Sequence, residues 1–270
     1  MSFTPKIDSL SVNTTSYTVE KWSDSGPMKL KTEGLLRGGS AVAHAGLLGR
    51  VVKMSGIVRG ANAAAYETSM DALYKRLQTT DEIVIQIADD RYLDVYCEPG
   101  PIEPMPGADG IAARWSATFT SKSPYWRSSS TSTQTVVNSS ATVSVNCTNA
   151  GQSPAQPTFQ VVNGGASDYT DVTVTVKNGT TNDEFRLFQF DLAAGDTLYV
   201  DSAEGQVYVA ATAGGAPSAS SGAPKRVDGL FWDLANGVTS VSFEHNFGTA
   251  SDITFKAIHH SRYPAVGDFS

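Results

Sequence analysis

Apolar and polar positions alternate with a period of two along most of this chain, and in one place the period lengthens to that of a helix. The segments "SYTVEKW" (16–22), "MKLKTEGLL" (28–36) and "RVVKMSGIVRG" (50–60) have the alternation and β-branched content of strands. Between the last two, "RGGSAVAHAGLLG" (37–49) is rich in Gly and Ala and too long for a tight hairpin, which predicts a loop or an extended arm. In "NAAAYETSMDALYKRLQ" (62–78), Tyr66, Met70, Leu73 and Leu77 fall on one helical face. Asn62 stands where an N-cap belongs, and Asp71 and Lys75 make an i,i+4 pair. "EIVIQIA" and "RYLDVYCE", separated by Asp89 and Asp90, form a hairpin pattern. The four prolines of the following "PGPIEPMPGADG" predict an extended or turning connection that blocks strand pairing, before "IAARWSATFTS" resumes as a strand.

After Tyr125 and Trp126 the chain changes character, with no apolar residue from Ser128 to Gln134. Beyond that Ser/Thr run no helical period returns. Short strands recur instead: "ATVSVNC", "PTFQVVN", "DVTVTVKNG", "DEFRLFQFDL", "DTLYVDS", "QVYVAAT", "GLFWDL", "VTSVSFEHN" and "DITFKAIHHSRY". Asn-Gly, Ala-Gly-Asp and Ala-Glu-Gly turns separate them, using residues that tolerate positive φ. The pattern predicts a mainly β protein: an N-terminal α+β domain over residues 1–127, a sandwich- or barrel-like sheet with one helix, then a β-sandwich or jelly roll over 128–270.

Charge supports this division. Residues 1–127 carry 14 Lys+Arg against 14 Asp+Glu, whereas residues 128–270 carry 6 against 13, so all of the net −7 lies in the second half. Neither half has the clustered basic residues that tight nucleic-acid binding needs. Met1 is followed by no basic and apolar leader, and no apolar run is long enough to span a bilayer, so a protein made in a cytoplasm and not inserted in a membrane is expected. Cys97 and Cys147 have no motif spacing and fall in different domains, which predicts two free buried thiols.

The search for chemistry yields little. Asp89, Asp90, Asp191, Asp196 and Asp201 all stand at predicted turns, where a carboxylate bonds nearby backbone donors. His259 and His260 are adjacent and point to opposite faces of a strand, and His44 and His245 have no companion at ligand spacing. "GGSAVAHAG" lacks the ending of a phosphate loop, and no nucleophile elbow is present. The expectation is no catalytic, cofactor-binding or metal site. Phe231 and Trp232 in "GLFWDL" offer either a sugar- or partner-contact platform or a core residue beside a rim residue.

Three stretches of the second half, "NAGQSPAQPTFQVVNG", "LFQFDLAAGDTLYVDSAEGQVYV" and "GLFWDLANGVTSVSFE", follow an order that resembles the galectin-like C-terminal domain of the distal tail proteins of long-tailed, non-contractile phages. "SGIVRG", "LYKRLQ", "DDRYLDVYCE" and "ARWSATFTSKSPYW" are similar to that family's N-terminal domain, and the resemblance spans about residues 5–263. It implies a structural protein of the virion, assembled in the host cytoplasm. Six copies would form a ring at the tail tip, between the tail tube and the tail hub with its fibre or receptor-binding protein. DNA would pass through the ring without being held. Tyr125 and Trp126 would then close the ring domain, and the Ser/Thr run would lead into the outer domain. Leu35, Leu36, Leu47 and Leu48, apolar residues flanking or within the predicted arm, would pack either on the next subunit or back on their own sheet. A carbohydrate-binding tail accessory and, further off, a tail-associated enzyme are the alternative readings.

Overall fold

The computed structural model describes residues 5–26, 28–29, 47–203, 205–211, 222 and 224–264, with only the backbone described at 28–29 and 47–48. It divides into two compact units. The first runs from the N-terminus to Ser129 and takes the chain back from Tyr263; the second is Ser130–Arg262. The sequence pattern places the tail in the second domain, but Tyr263 and Pro264 belong to the first unit, so the second unit is an insertion with two chain crossings.

The first unit contains β1 (Lys6–Ile7), β2 (Leu10–Ser11), β3 (Tyr17–Asp24), the short ribbon strands β4 (Met28–Lys29) and β5 (Leu47–Leu48), β6 (Arg50–Arg59), α1 (Ala63–Leu77), β7 (Ile83–Ala88), β8 (Arg91–Pro104) and β9 (Ala112–Ser121). Strands β3, β6, β9 and β8 pair in that order, all antiparallel, and β8 also pairs with β7, which leads to β1 and β2. On β6 every second residue faces inward, and Val52, Met54 and Val58 are buried there against Trp115, Phe119 and the helix residues Leu73 and Leu77. Gly56 falls in this inward row by the same alternation and has to be glycine, because a Cβ would meet the Thr18 carbonyl oxygen at 1.8 Å and crowd Trp115, its cross-strand partner.

The helix forms where the periodicity places it. Asn62 Oδ1 accepts from Ala65 N at 2.9 Å, and Lys75 and Arg76 in the last turn complement the helix dipole. Tyr66 and Met70 pack partly buried beside Leu73 and Leu77. The hairpin of β7 and β8 closes on a two-residue turn, Ala88 opposite Arg91, with Asp90 at φ 55°.

The proline-rich segment departs from expectation. Strand β8 runs on to Pro104, with Pro99 opposite Ala117 and Pro104 opposite Ala113. Pairing with β7 ends at Val95, so beyond it β8 has β9 on one side only, and the prolines are accommodated at a free edge with a bulge between Pro99 and Ile102.

Strand β10 (Trp126–Val137) is where the Ser/Thr run lies: one continuous strand whose first residues belong to the first unit. In the second unit follow β11 (Thr142–Asn149), β12 (Thr158–Asn163), β13 (Tyr169–Asn178), β14 (Glu184–Leu192), β15 (Thr197–Asp201), β16 (Gln206–Ala210), β17 (Arg226–Gly229), β18 (Gly237–His245) and β19 (Ile253–Tyr263). They form two sheets, β11-β18-β13-β14-β17 and β16-β15-β12-β19 with the end of β10 beside β19. Their inner faces bury Val143, Val145, Phe159, Val161, Leu187, Phe243 and Phe255 in one core, as a β-sandwich requires.

"GLFWDL" is not a strand. Its Gly229 is the last residue of β17, which pairs with β14, and at φ 90° it turns the chain out of the sheet; beyond it only Leu234 makes a bridge, to Ala155. The Asn-x-Gly motif at 149–151 closes a turn through its own side chain, in which Asn149 Oδ1 accepts from Gly151 N at 3.0 Å while its amide donates to the carbonyls of Ser153 and Leu234.

Candidate functional site

Trp126, at the start of β10, is fully buried in the core of the first unit, and its indole Nε1 donates to Asp24 Oδ2 at 3.2 Å. The same oxygen receives Arg50 Nη1 at 2.9 Å. Arg50 is also fully buried, because its position on β6 shares the inward parity of Val52 and Met54. Its Nη2 donates to the carbonyl oxygen of Pro264, and its guanidinium carbon lies 5.6 Å from the centre of the Trp126 ring. Burial pushes the Arg50 guanidinium down from its ordinary value, and Asp24 holds it up. Four segments far apart in sequence thus meet on one cation: β3, β6, the start of β10 and the returning tail.

Neighbouring contacts fix the same two chain ends. Arg127 forms a bidentate pair with Asp94, at 2.6 and 2.7 Å, which raises the Arg127 pKa through that hydrogen bond. Asp90, the turn carboxylate, accepts from the backbone N and hydroxyl of Ser129 at 2.7 and 2.9 Å. Tyr125 is half-buried, and its N–H donates to Ser123 Oγ. On the returning tail, Arg91 lies over the Tyr263 ring with its guanidinium carbon 3.3 Å from the centroid.

Of the sequence-derived candidates, Tyr125 and Trp126 lie within the first unit, a few residues before its boundary at Ser129. Leu35 and Leu36 lie outside the described residues. Leu47 and Leu48 pair through their backbones with Lys29 and Met28, and their side chains lie outside the described set. Trp232 is a core residue: 7% exposed and packed on Phe159 at 5.1 Å, it leaves no ring face for a sugar. Phe231 is half-buried, edge-on to Phe185 at 5.0 Å. The most exposed large apolar side chain beside them is Leu230. Sequence reasoning missed Arg50 and Asp24. The available signal was an arginine at an inward-facing position of an otherwise apolar alternating strand.

A groove of about 710 Å³ on the first unit is lined by Trp22, Lys53, Ser55, Gly100, Ser116 and Thr118 among others, and its one carboxylate is Glu20. Among the described residues no group of three or more His, Cys, Asp or Glu is placed to hold a metal, and no helix is long and apolar enough to cross a membrane. Cys97 and Cys147 are free thiols, Cys147 buried and Cys97 half-buried. Burial pushes both pKa values up to about 11, with Glu98 adding to the effect at Cys97, so neither is a poised nucleophile.

His259 is buried with Nε2 3.1 Å from the Thr148 carbonyl, which assigns the proton to Nε2 and leaves Nδ1 a buried acceptor without a donor. Burial lowers its pKa from the ordinary 6.5, and His260 lowers it further. Because the folded state resists a proton that the unfolded chain accepts, stability is fully present above about pH 6.5 and falls as pH drops towards the folded pKa, by at most about 1.4 kcal/mol per pH unit for this group. Urea midpoints of the second unit measured between about pH 7.5 and 5 are expected to fall, and His259→Gln is expected to flatten that part of the profile. An unchanged slope in the variant would assign the loss to other groups.

The architecture is thus a mainly β chain of two units, with a β-sandwich inserted before the tail of an α+β unit. No protein-family model matches the chain, and no curated protein matches it significantly. Solved structures do. The Dit protein of SPP1, described as a paradigm of the hub adsorption apparatus in phages infecting Gram-positive hosts, superposes with a TM-score of 0.58 at 14% identity, covering 97% of this chain and 99% of that one. Two structures of the phage P2 baseplate in its activated conformation, with Ca and with Sr, give TM-scores of 0.46 and 0.47 at 8% and 9% identity, covering 92% and 97% of this chain and 92% and 94% of theirs. The chain shares the fold of SPP1 Dit, an assignment that rests on the first of these superpositions.

Proposed function

We propose that this chain is a structural component of a phage tail tip, a distal tail protein that assembles as a hexameric ring between the tail tube and the tail hub with its fibre or receptor-binding protein. The observation that carries this reading is the superposition on SPP1 Dit over nearly the full length of both chains, which includes both units. The balanced charge of residues 1–127 suits a ring that lets DNA through its channel without binding it. The second unit, on this reading a galectin-like sandwich, is a docking platform outside the ring, and the protein acts without catalysis or cofactor in a virion assembled in the host cytoplasm. A closed ring is heterologous, so each subunit presents two different patches, and we assign one of them to the arm bearing Leu35, Leu36, Leu47 and Leu48.

Light scattering of the full-length protein, followed by negative-stain imaging, is expected to show a species near six chains with a central hole. The double variant Leu47→Ser, Leu48→Ser is expected to lose it. If the protein stays monomeric even when supplied with tail tubes, the ring reading fails; if the variant still forms rings, the arm assignment fails alone.

A further inference from the structure

Three Asn-Gly pairs occur in the second unit, at Asn163, Asn178 and Asn236, and the fold treats them differently. In such a pair the backbone nitrogen of the glycine can attack the asparagine side-chain carbonyl carbon, because glycine has no Cβ to hinder the approach. The new N–Cγ bond closes a succinimide and the Cγ–Nδ2 bond breaks, releasing ammonia. Water then opens the ring at either carbonyl, leaving aspartate or isoaspartate, with no change of oxidation state.

Two of the pairs are shielded at both reacting ends. Asn163 is fully buried, and its amide donates to the carbonyls of Ser167, Leu192 and Ala193 at 2.9, 3.1 and 3.0 Å while Oδ1 accepts from Gly165 N. The would-be attacking nitrogen, Gly164 N, is held by the Asp252 carbonyl at 2.9 Å. Asn178 is likewise buried, with Oδ1 accepting from the backbone of Thr180 and Thr181 at 2.9 and 3.1 Å, and Gly179 N is held by the Ser240 carbonyl at 2.8 Å. In both, reaching the succinimide would break several buried hydrogen bonds.

At Asn236 only the backbone end is held, since Gly237 pairs with Asn149 at the very end of the β11–β18 ladder, and the side chain has none of this protection. It is exposed in the turn before β18, and no described residue engages its amide. Gly237 sits at φ 88°, and a Cβ there would meet nothing within 4 Å, so the space around the reacting atoms is open. We infer that Asn236 is a spontaneous deamidation site that ages the folded protein, placing a new carboxylate beside the exposed Val238 at the start of β18.

The test is to incubate the full-length protein at mildly alkaline pH and follow all three sites by peptide mapping, with fragmentation that separates aspartate from isoaspartate. Asn236 is expected to convert at least about tenfold faster than Asn163 and Asn178 in the folded protein. In urea the three are expected to react at similar rates, and Asn236→Gln is expected to remain intact at that position. Equal rates in the folded protein, or an Asn236 that resists conversion while a free peptide of the same sequence converts, would overturn the inference.

Discussion

The Asp24→Ala variant is expected to lose about 3–5 kcal/mol of the stability of the first unit, the cost of leaving a buried charge without its partner. Arg50 is fully buried, and Asp24 is the carboxylate that pairs with it. The same carboxylate accepts from the Trp126 indole, and its other oxygen accepts from Gly26 N at 2.9 Å, so the truncation also strands two further donors. Arg50→Met should be much milder. It fills similar volume with apolar atoms, removes the cation itself, and leaves an Asp24 that is partly exposed and still bonded to Trp126 and Gly26. The double variant should then be more stable than Asp24→Ala alone, which is the signature of an uncompensated charge rather than of lost packing. Urea unfolding followed by tryptophan fluorescence reads this directly, because Trp22, Trp115 and Trp126 are three of the four tryptophans and all lie in the first unit. If Arg50→Met destabilises as much as Asp24→Ala, the cluster stabilises through net attraction, and the stranded charge is not what makes the loss of Asp24 costly.

That cluster also marks where sequence reading reaches its limit. The helix at Ala63–Leu77 and the hairpin at Ala88 and Arg91 were legible because each is specified locally, by a 3.6-residue period with a cap and by two strands around a two-residue turn. The mainly β architecture was legible for the same reason, since alternation fixes which face of each strand is buried. What could not be read depends on partners distant in the chain. Prolines are excluded from a strand only where both edges are paired, and nothing in "PGPIEP" says that one edge of β8 is free. The Ser/Thr run forms a strand although it has almost no apolar alternation, as its pairing is set by neighbours rather than by its own pattern. Pro264 and Asp24 meet Arg50 across 214 and 26 residues, and no local signal reports such a contact. "GLFWDL" reads as a strand and folds as a loop because an apolar run beside turn residues fits both equally well.

The Trp232→Ala variant decides what that loop is for. Trp232 is a large buried side chain packed on the centre of an aromatic group, with Phe159 at 5.1 Å and Phe159 in turn 5.6 Å from Phe185 and 6.1 Å from Phe243. Truncating it removes contacts that the surrounding sheets, held by their ladders, cannot restore by collapse, and a loss of about 3–5 kcal/mol is expected for the second unit. Trp232→Phe should recover much of this, because the indole Nε1 has no hydrogen-bond partner and phenylalanine therefore sacrifices volume but no bond. Leu230→Ser, two residues away on an exposed side chain, should stay within about 0.5 kcal/mol of the parent. The three remaining tryptophans provide an internal control: their fluorescence transition reports the first unit and should not move, while calorimetry should resolve an earlier melting of the second. A Trp232→Ala protein of unchanged stability that had lost affinity for a polysaccharide would instead mean that the ring is a recognition surface, and would revive the sugar-binding alternative. The packing argues for the other outcome, in which Trp232 anchors the loop between β17 and β18 to the sandwich core.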